Sequence, residues 1–238
     1  MPAVRGTLYL IPVALGEGAA ILVLPPATLD EIRRLRTFIV ENAKSARHFL
    51  KAAGYAHPLQ ETRFELLDEH TREDRLEALL APLLAGEDCG LMSEAGCPAV
   101  ADPGAALVRR AHESGIRVVP LVGPSSVLLA LMASGMNGQR FAFHGYLPVD
   151  KTPRASTIKA LEAQAAGATQ IFIETPYRND ALLQALLQHC RGDTRLCVAA
   201  DVTLPTEFVV TRTIAEWKKK PPDLDRRPTV FLLWRERA

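Results

Sequence analysis

The chain has 238 residues, of which 48% are hydrophobic and 23% are charged, a composition typical of a soluble globular protein. This length is sufficient for one large domain or for two domains of roughly 120 residues each. Lysines and arginines number 28 against 27 acidic residues, which gives a net charge of +1. A chain so close to neutral has no overall field that attracts a polyanion, so any contact with nucleic acid requires a local basic patch.

The first half of the chain alternates short apolar runs with longer amphipathic stretches. The predicted strands are 7–13, 37–40, 89–93 and 116–122, and the predicted helices are 42–53, 71–85 and 102–114. Thr71 with Asp74 resembles a capping box, and Asp102 before Pro103 is typical of an N-cap followed by proline at the first helical position. The alternation predicts a mainly parallel sheet wound with helices.

The second half is denser in strands. Five runs are predicted to form strands, at 141–146, 169–174, 195–200, 206–212 and 229–234, after a helix that ends near Met132. The third and fourth runs are separated by a loop so short that the two strands must pair antiparallel. We therefore predict an α/β protein of two domains, with the wound sheet in residues 1–122 and a smaller, mixed α+β domain in residues 123–238.

Cysteine and histidine spacing bears on metal sites and compartment. The 4 cysteines have no C-x-x-C spacing, and no two of the 6 histidines are four residues apart, which argues against a zinc site. Buried thiols in a reducing compartment explain the cysteines better than disulfides do. Apolar stretches at the N-terminus and at 118–136 are interrupted by proline, glycine and polar residues. We expect a cytoplasmic protein without a metal, a disulfide or a membrane span.

Three loops follow strands at the edge where open α/β sheets bind ligands. The first is PVALGEG at 12–18, and the second is SEAGCPAVADPG at 93–104, which is longer than the roughly 2–6 residues of an ordinary strand-to-helix connection. The third, LVGPSSV at 121–127, begins a helix with two hydroxyls and free N–H groups that suit a carboxylate or a phosphate. An ordinary strand exit and a simple helix cap remain alternatives for the first and third loops.

Five ordered motifs, YLIPVALG, SEAGCPAVADPG, GIRVVPLVGPSSVLLALMASG, FAFHGYLP and IFIETPYR, carry a family resemblance from about Thr7 to Trp234. The chain resembles the tetrapyrrole methylase superfamily of S-adenosylmethionine-dependent methyltransferases. Within it, the chain is most similar to the branch that methylates the ribose 2′-oxygen of a cytidine in small-subunit ribosomal RNA. The resemblance implies a homodimer of two α/β domains, S-adenosylmethionine as cofactor in the cleft between the domains, and RNA or the small ribosomal subunit as partner.

The cofactor contacts implied by the resemblance follow its motifs. In the first half they are Pro12, Val13, Gly96, Cys97, Val100, Ser125 and Ser126. In the second half they are Glu174, Thr175, Ala199, Ala200 and Pro228. The assignment is physically reasonable because a helix N-terminus can hold the methionine carboxylate, while backbone groups and apolar walls can hold adenine.

Three motifs depart from the ribosomal RNA branch. P-T-P-I-G-N is replaced by 12–17, A-E-D-T-R by 40–44, and S-D-A-G-T-P by 93–98. Two alternatives to an RNA methyltransferase therefore remain: a methyltransferase of a small molecule such as a tetrapyrrole, and a cofactor-binding protein without catalysis.

Methyl transfer to a ribose hydroxyl requires an aligned acceptor and profits from a nearby base. Residue type and position favour Glu94 as the base, with His144, Tyr177 and Arg178 orienting the acceptor. Glu94 could instead cap a turn, His144 could be a satisfied strand histidine, and Arg178 could pair with Asp180 or Glu174.

Basic residues and apolar surface indicate two kinds of partner. Lys44, Arg47 and Lys51 fall on one face of the helix predicted at 42–53, where they could follow an RNA backbone or simply be solvated. An RNA site would also bring Arg33, Arg34 and Arg36 to the same face. The apolar residues of 127–136 and 141–143 exceed what a small domain can bury, which favours a dimer interface.

Overall fold

The computed structural model describes residues 4–16, 20–68 and 70–236, without the side chains of residues 20 and 21. Glu17 and Gly18, the end of the first predicted loop, lie outside the described residues. The chain forms two compact units, Met1–Ser125 and Ser126–Ala238, where the sequence led us to expect a division between Val122 and Gly123. We describe each unit by itself.

The first unit is built on a five-stranded parallel sheet. Its strands are β1 Thr7–Leu10, β2 Thr37–Val40, β3 Arg63–Leu66, β4 Cys89–Met92 and β5 Arg117–Pro120. Their order is β3-β2-β4-β1-β5, and every pair is parallel. The predicted wound sheet is confirmed, and the three predicted loops leave the neighbouring strands β1, β4 and β5 at the same edge.

Five helices surround this sheet. They are α1 Ala20–Val23, α2 Pro26–Arg34, α3 Ala43–Ala52, α4 Glu73–Leu84 and α5 Ala105–Glu113. Asn42 caps α3, since its side chain accepts hydrogen bonds from the backbone N–H groups of Lys44 and Ser45. Such a cap stabilises a helix by about 1 kcal/mol.

Two predicted helix starts are wrong. Thr71 does not cap α4; its hydroxyl is bonded to Asp68 instead, at 2.9 Å, and the helix begins at Glu73. Helix α5 begins at Ala105, after Gly104 with φ 135°, so Asp102 is not its N-cap. Backbone turns within the long second loop carry the chain past Asp102 before the helix forms.

The second unit is built on a mixed sheet. Its strands are β6 Phe141–Tyr146, β7 Thr169–Ile173, β8 Arg195–Ala200, β9 Phe208–Thr213 and β10 Thr229–Trp234, in the order β6-β7-β10-β8-β9. Only β6 and β7 pair in parallel. Strands β8 and β9 are antiparallel, as the short loop between them predicted.

Helices cover the second sheet and close its core. They are α6 Ser126–Ser134, α7 Lys151–Gln164, α8 Asn179–His189 and α9 Ile214–Lys219, with a short 3-10 helix at Pro176–Arg178. Phe172, Phe231 and Trp217 are buried in this core. The Trp217 ring N–H donates to Leu196 O at 2.8 Å, which satisfies the polar atom of the largest core side chain.

The four cysteines are free thiols. Burial raises the pKa of Cys89 and of Cys190 to about 12, so both stay protonated at neutral pH. Across the described parts of the chain, none of the helices is both long enough and apolar enough to span a bilayer.

Candidate functional site

The first two loops of the first unit are joined by their backbones. Val13 N donates to Gly96 O at 2.8 Å, and Gly96 N donates to Val13 O at 2.9 Å. Gly96 has φ 70°, a conformation that side chains rarely adopt. An added Cβ there would meet only Leu15, at 3.4 Å, so backbone conformation rather than crowding requires glycine.

The third loop packs directly on the first two. A Cβ at Gly123 would lie 2.3 Å from Pro12 Cγ, so the loops approach each other more closely than any side chain at Gly123 would allow. The Cys97 thiol donates to Pro124 O at 3.5 Å, and Thr28 of α2 donates to Val122 O at 2.8 Å. Five predicted contact residues in these loops, Pro12, Val13, Gly96, Cys97 and Ser125, therefore belong to one connected group.

Backbone strain is concentrated in the second loop. Ala99 and Ala101 have φ values of 65° and 64°, which cost roughly 1–3 kcal/mol each for residues other than glycine. The predicted contact Val100 lies between them and is 47% exposed. Strain that the surrounding fold maintains in this way is typical of ligand-binding loops.

A cavity of about 530 Å³ opens beside these loops, a size in the range of small-molecule sites. Its lining comes from the exits of β1 and β4 and from one face of α3, and comprises 13–16, Asn42, Lys44, Ser45, Ala46, His48, Phe49, Ala52 and 92–95. All three motifs that depart from the ribosomal RNA branch contribute residues to it. The sequence analysis missed Asn42, Ser45 and His48, although their position directly after a buried strand was a usable signal.

Glu94, the predicted base, lies in this lining. Its Oε1 accepts a hydrogen bond from Ser45 Oγ at 2.8 Å, which holds the carboxylate in place from α3. The side chain is exposed, so an oxygen of Glu94 is available to a hydroxyl in the cavity.

Asp102 stands next to this carboxylate. Burial raises the pKa of Asp102, Glu94 raises it further, and a hydrogen bond with Ser93 lowers it in part. The folded protein therefore binds a proton at Asp102 more tightly than the unfolded chain does. Ionisation of Asp102 reduces stability as the pH rises from the ordinary value of 3.8 through the raised one.

We expect Asp102→Asn to be more stable than the parent at pH 7, because the amide removes this penalty while keeping the side-chain shape. The gain should be a fraction of 1 kcal/mol to about 1 kcal/mol, since the group is only half-buried. Urea unfolding followed by circular dichroism from pH 3.5 to 7 measures it. The difference should disappear near pH 3.5; a gain that is equal at every pH would contradict this origin.

The predicted residues of the second unit lie along one sheet edge. Thr229 pairs with Ala200 and Val230 pairs with Ile173, so the end of β8, the end of β7 and the start of β10 are neighbours. This places Glu174, Thr175, Ala199, Ala200 and Pro228 close together. The Asp201–Arg227 ion pair, at 2.8 Å, braces the same edge.

Arg178 is paired with Glu174, one of the alternatives that the sequence left open. Its Nε and Nη2 donate to Glu174 Oε1 at 2.9 and 2.6 Å, and this hydrogen bonding raises the pKa of Arg178. The Thr175 N–H donates to the same oxygen at 2.7 Å. Arg178 also lies over the Tyr177 ring, 5.3 Å from its centre.

His144 lies inside the second sheet, in a bulge of β6 between Phe143 and Tyr146. Its Nε2 is 2.7 Å from Gln170 Oε1. Because the Gln170 amide donates to Ala168 O, its oxygen accepts from His144. This contact fits the alternative of a satisfied strand histidine, and the proposed role in orienting an acceptor stays a prediction.

The basic residues named from the sequence do not all share one face. Arg34 pairs with Asp88 at 2.8 Å, at the start of β4 and therefore at the edge opposite the cavity, and Arg33 pairs with Asp30 at 3.1 Å. The expectation that these two arginines join the α3 residues in one basic surface is wrong for both. Lys44, Arg47 and Lys51 are exposed together on α3.

A parallel sheet with three interlocked loops at its carboxyl edge defines a ligand-binding domain of the open α/β class. A family model of Tetrapyrrole (Corrin/Porphyrin) Methylases matches residues 14–218, and the chain belongs to this family. It is therefore a methyltransferase, as the motifs predicted.

Relatives and solved structures agree with this assignment. The chain is 34% identical to "Ribosomal RNA small subunit methyltransferase I" of Escherichia coli O157:H7, over 96% of the chain and 77% of that protein. It is 32% identical to the protein of the same name from Vibrio cholerae, over 88% and 69%. The fold is similar to that of diphthine synthase, with a TM-score of 0.68 at 17% identity, covering 96% of this chain and 90% of the other. It is also similar to that of the methyltransferase CobJ, with a TM-score of 0.63 at 18% identity over 96% and 94%.

Proposed function

We propose that this chain transfers the methyl group of S-adenosylmethionine to a ribose 2′-hydroxyl of small-subunit ribosomal RNA in the cytoplasm. The observation that carries the proposal is the 34% identity with the Escherichia coli relative over 77% of its length. The exposed cations of α3 beside the cavity support an RNA acceptor, because phosphate contacts supply much of the affinity for nucleic acid.

The loops of the first unit fit the proposed cofactor. Gly96 and Gly123 let the backbone approach a ligand, and α6 begins at Ser126, where free N–H groups suit the methionine carboxylate. S-adenosylmethionine supplies an already activated methyl group. The residues at the edge of the second sheet remain predicted contacts for the rest of the cofactor.

The chain's own residues then have to bind and deprotonate the acceptor. In this proposal Lys44 attracts the phosphate next to the acceptor ribose, and Glu94, held by Ser45, accepts the hydroxyl proton. The apolar side of the cavity, formed by Phe49, Met92 and Ala52, excludes water from the reacting atoms.

A homodimer is part of the proposal. Met132 and Leu128 of α6 and Phe141 of β6 are 79%, 51% and 42% exposed. Apolar side chains grouped in this way are common where two copies of a chain associate. A sedimentation mass of twice 26.0 kDa is expected.

Reversing the charges of α3 tests the RNA acceptor. We expect Lys44→Glu, Arg47→Glu and Lys51→Glu together to weaken RNA binding at every sequence and to flatten its salt dependence by roughly one unit per lost contact. Binding of S-adenosylmethionine should persist. Fluorescence anisotropy with labelled RNA at several salt concentrations, and uptake of labelled methyl groups by small ribosomal subunits, measure both effects.

The matched control reverses three exposed lysines at the end of α9, Lys218, Lys219 and Lys220, which changes the net charge equally. It should behave as the parent. Label uptake by a metabolite extract but not by ribosomal subunits would favour a small-molecule acceptor, and cofactor binding without any uptake would favour a protein without catalysis.

A further inference from the structure

Two tyrosines are exposed at the same edge of the second sheet. Tyr146, the last residue of β6, is 52% exposed, and Tyr177 is 71% exposed. The other tyrosines are engaged in the first unit: Tyr55 donates to Leu35 O at 2.7 Å, and Arg34 lies over the Tyr9 ring at 4.7 Å. Exposed aromatic rings placed side by side are typical of a binding surface.

The sheet and a buried ion pair hold these rings in place. Tyr146 pairs with Ile173 of β7, the residue directly before Glu174. The Glu174 side chain is fully buried and binds Arg178, which fixes the 3-10 helix that carries Tyr177. We call Tyr146, Tyr177 and Arg178 the tyrosine–arginine platform.

The charges around this platform nearly cancel. Lys151, at the start of α7, and Arg178 are balanced by Asp150 and Asp180, and all but the half-buried Arg178 are exposed. Arg178 is further neutralised by Glu174. A phosphate backbone would therefore gain little from this surface, whereas a flat ring would gain contact with two tyrosines and a guanidinium plane.

We propose that the tyrosine–arginine platform stacks unpaired bases of the RNA, so that the substrate is an unpaired segment and not a duplex. The proposal rests on the proposed function and specifies its substrate class. Bases in a helix are stacked on one another and offer no free face, whereas unpaired bases stack on tyrosine and arginine with little dependence on sequence. The platform would hold a base while the α3 cations follow the backbone.

The test compares binding of a labelled, unstructured oligocytidine RNA with binding of a duplex of the same length. We expect the parent to prefer the single strand. Tyr146→Ala and Tyr177→Ala should each weaken single-strand binding by roughly tenfold, with the salt dependence unchanged. Tyr146→Phe and Tyr177→Phe keep the ring and should stay within about twofold of the parent. Melting temperatures confirm that each variant is folded.

The outcomes separate this proposal from the function on which it rests. If the parent binds RNA but the alanine variants bind it equally well, or if the duplex binds as tightly as the single strand, the stacking platform is wrong and the RNA function stands. If the phenylalanine variants lose as much as the alanine variants, the hydroxyls act and stacking is again overturned. If the parent neither binds nor methylates any RNA, both proposals fail.

Discussion

Replacing Gly123 by alanine should lower the affinity for S-adenosylmethionine at least tenfold and destabilise the first unit by about 1–3 kcal/mol. The new Cβ would lie 2.3 Å from Pro12 Cγ and 2.9 Å from Leu24 Cδ2. Neither Pro12 nor the backbone of the third loop can yield without separating the loops that we propose hold the cofactor. Titration calorimetry with S-adenosylmethionine and thermal unfolding measure the two effects.

Gly138→Ala is the matched control, because a Cβ at Gly138 has nothing within 4 Å. It should bind the cofactor as the parent does. If Gly123→Ala binds S-adenosylmethionine within twofold of the parent, the three loops do not form the site. If the folded parent gives no heat with the cofactor, the cofactor proposal itself fails.

Arg178→Met should reduce the free energy of unfolding of the second unit by about 3 kcal/mol. The substitution leaves the Glu174 carboxylate, which is 0% exposed, without its cation, and an uncompensated buried charge typically costs about 3–5 kcal/mol. We expect the lower end because the Thr175 N–H still donates to Glu174. Both tryptophans, Trp217 and Trp234, lie in the second unit, so their fluorescence in urea reports on this unit alone.

The double variant Glu174→Gln with Arg178→Met separates charge from packing. Removing both charges should recover part of the stability that Arg178→Met loses. A single variant within 1 kcal/mol of the parent, or a double variant that is less stable than the single one, would show that the ion pair does not stabilise this edge.

Much of the fold was predictable from local patterns. Strands 37–40, 141–146, 195–200 and 229–234 have the predicted bounds, because apolar, β-branched and aromatic runs between turn residues have few other places to go. Strand β3 and helix α2 were not predicted. The sequence RFEL of β3 carries two charges and lies at the edge of the sheet, where alternating apolar character is not required.

The loops that hold the candidate site were predicted because of chain direction. Parallel strands bring their carboxyl ends to one edge, so glycine-rich segments after β1, β4 and β5 had to be neighbours once the sheet was recognised. The departures from the family motifs were visible in the same way. Their convergence on one cavity was not, since the contribution of α3 depends on how that helix packs.

The sequence by itself determined the alternation of elements, the glycines of the loops and the family, since these depend on residue type, spacing and order. Only the tertiary structure decided the partners of the charged and polar side chains. Arg34 is paired with Asp88 and Arg178 with Glu174, while Ser45 donates to Glu94. His144 is bonded to Gln170, and Tyr146 stands beside the Tyr177 segment. Three of these contacts join residues that are between 26 and 54 positions apart in the chain. A hydrogen bond or an ion pair forms only when packing brings two groups within about 3 Å, a distance that no local pattern in the sequence encodes.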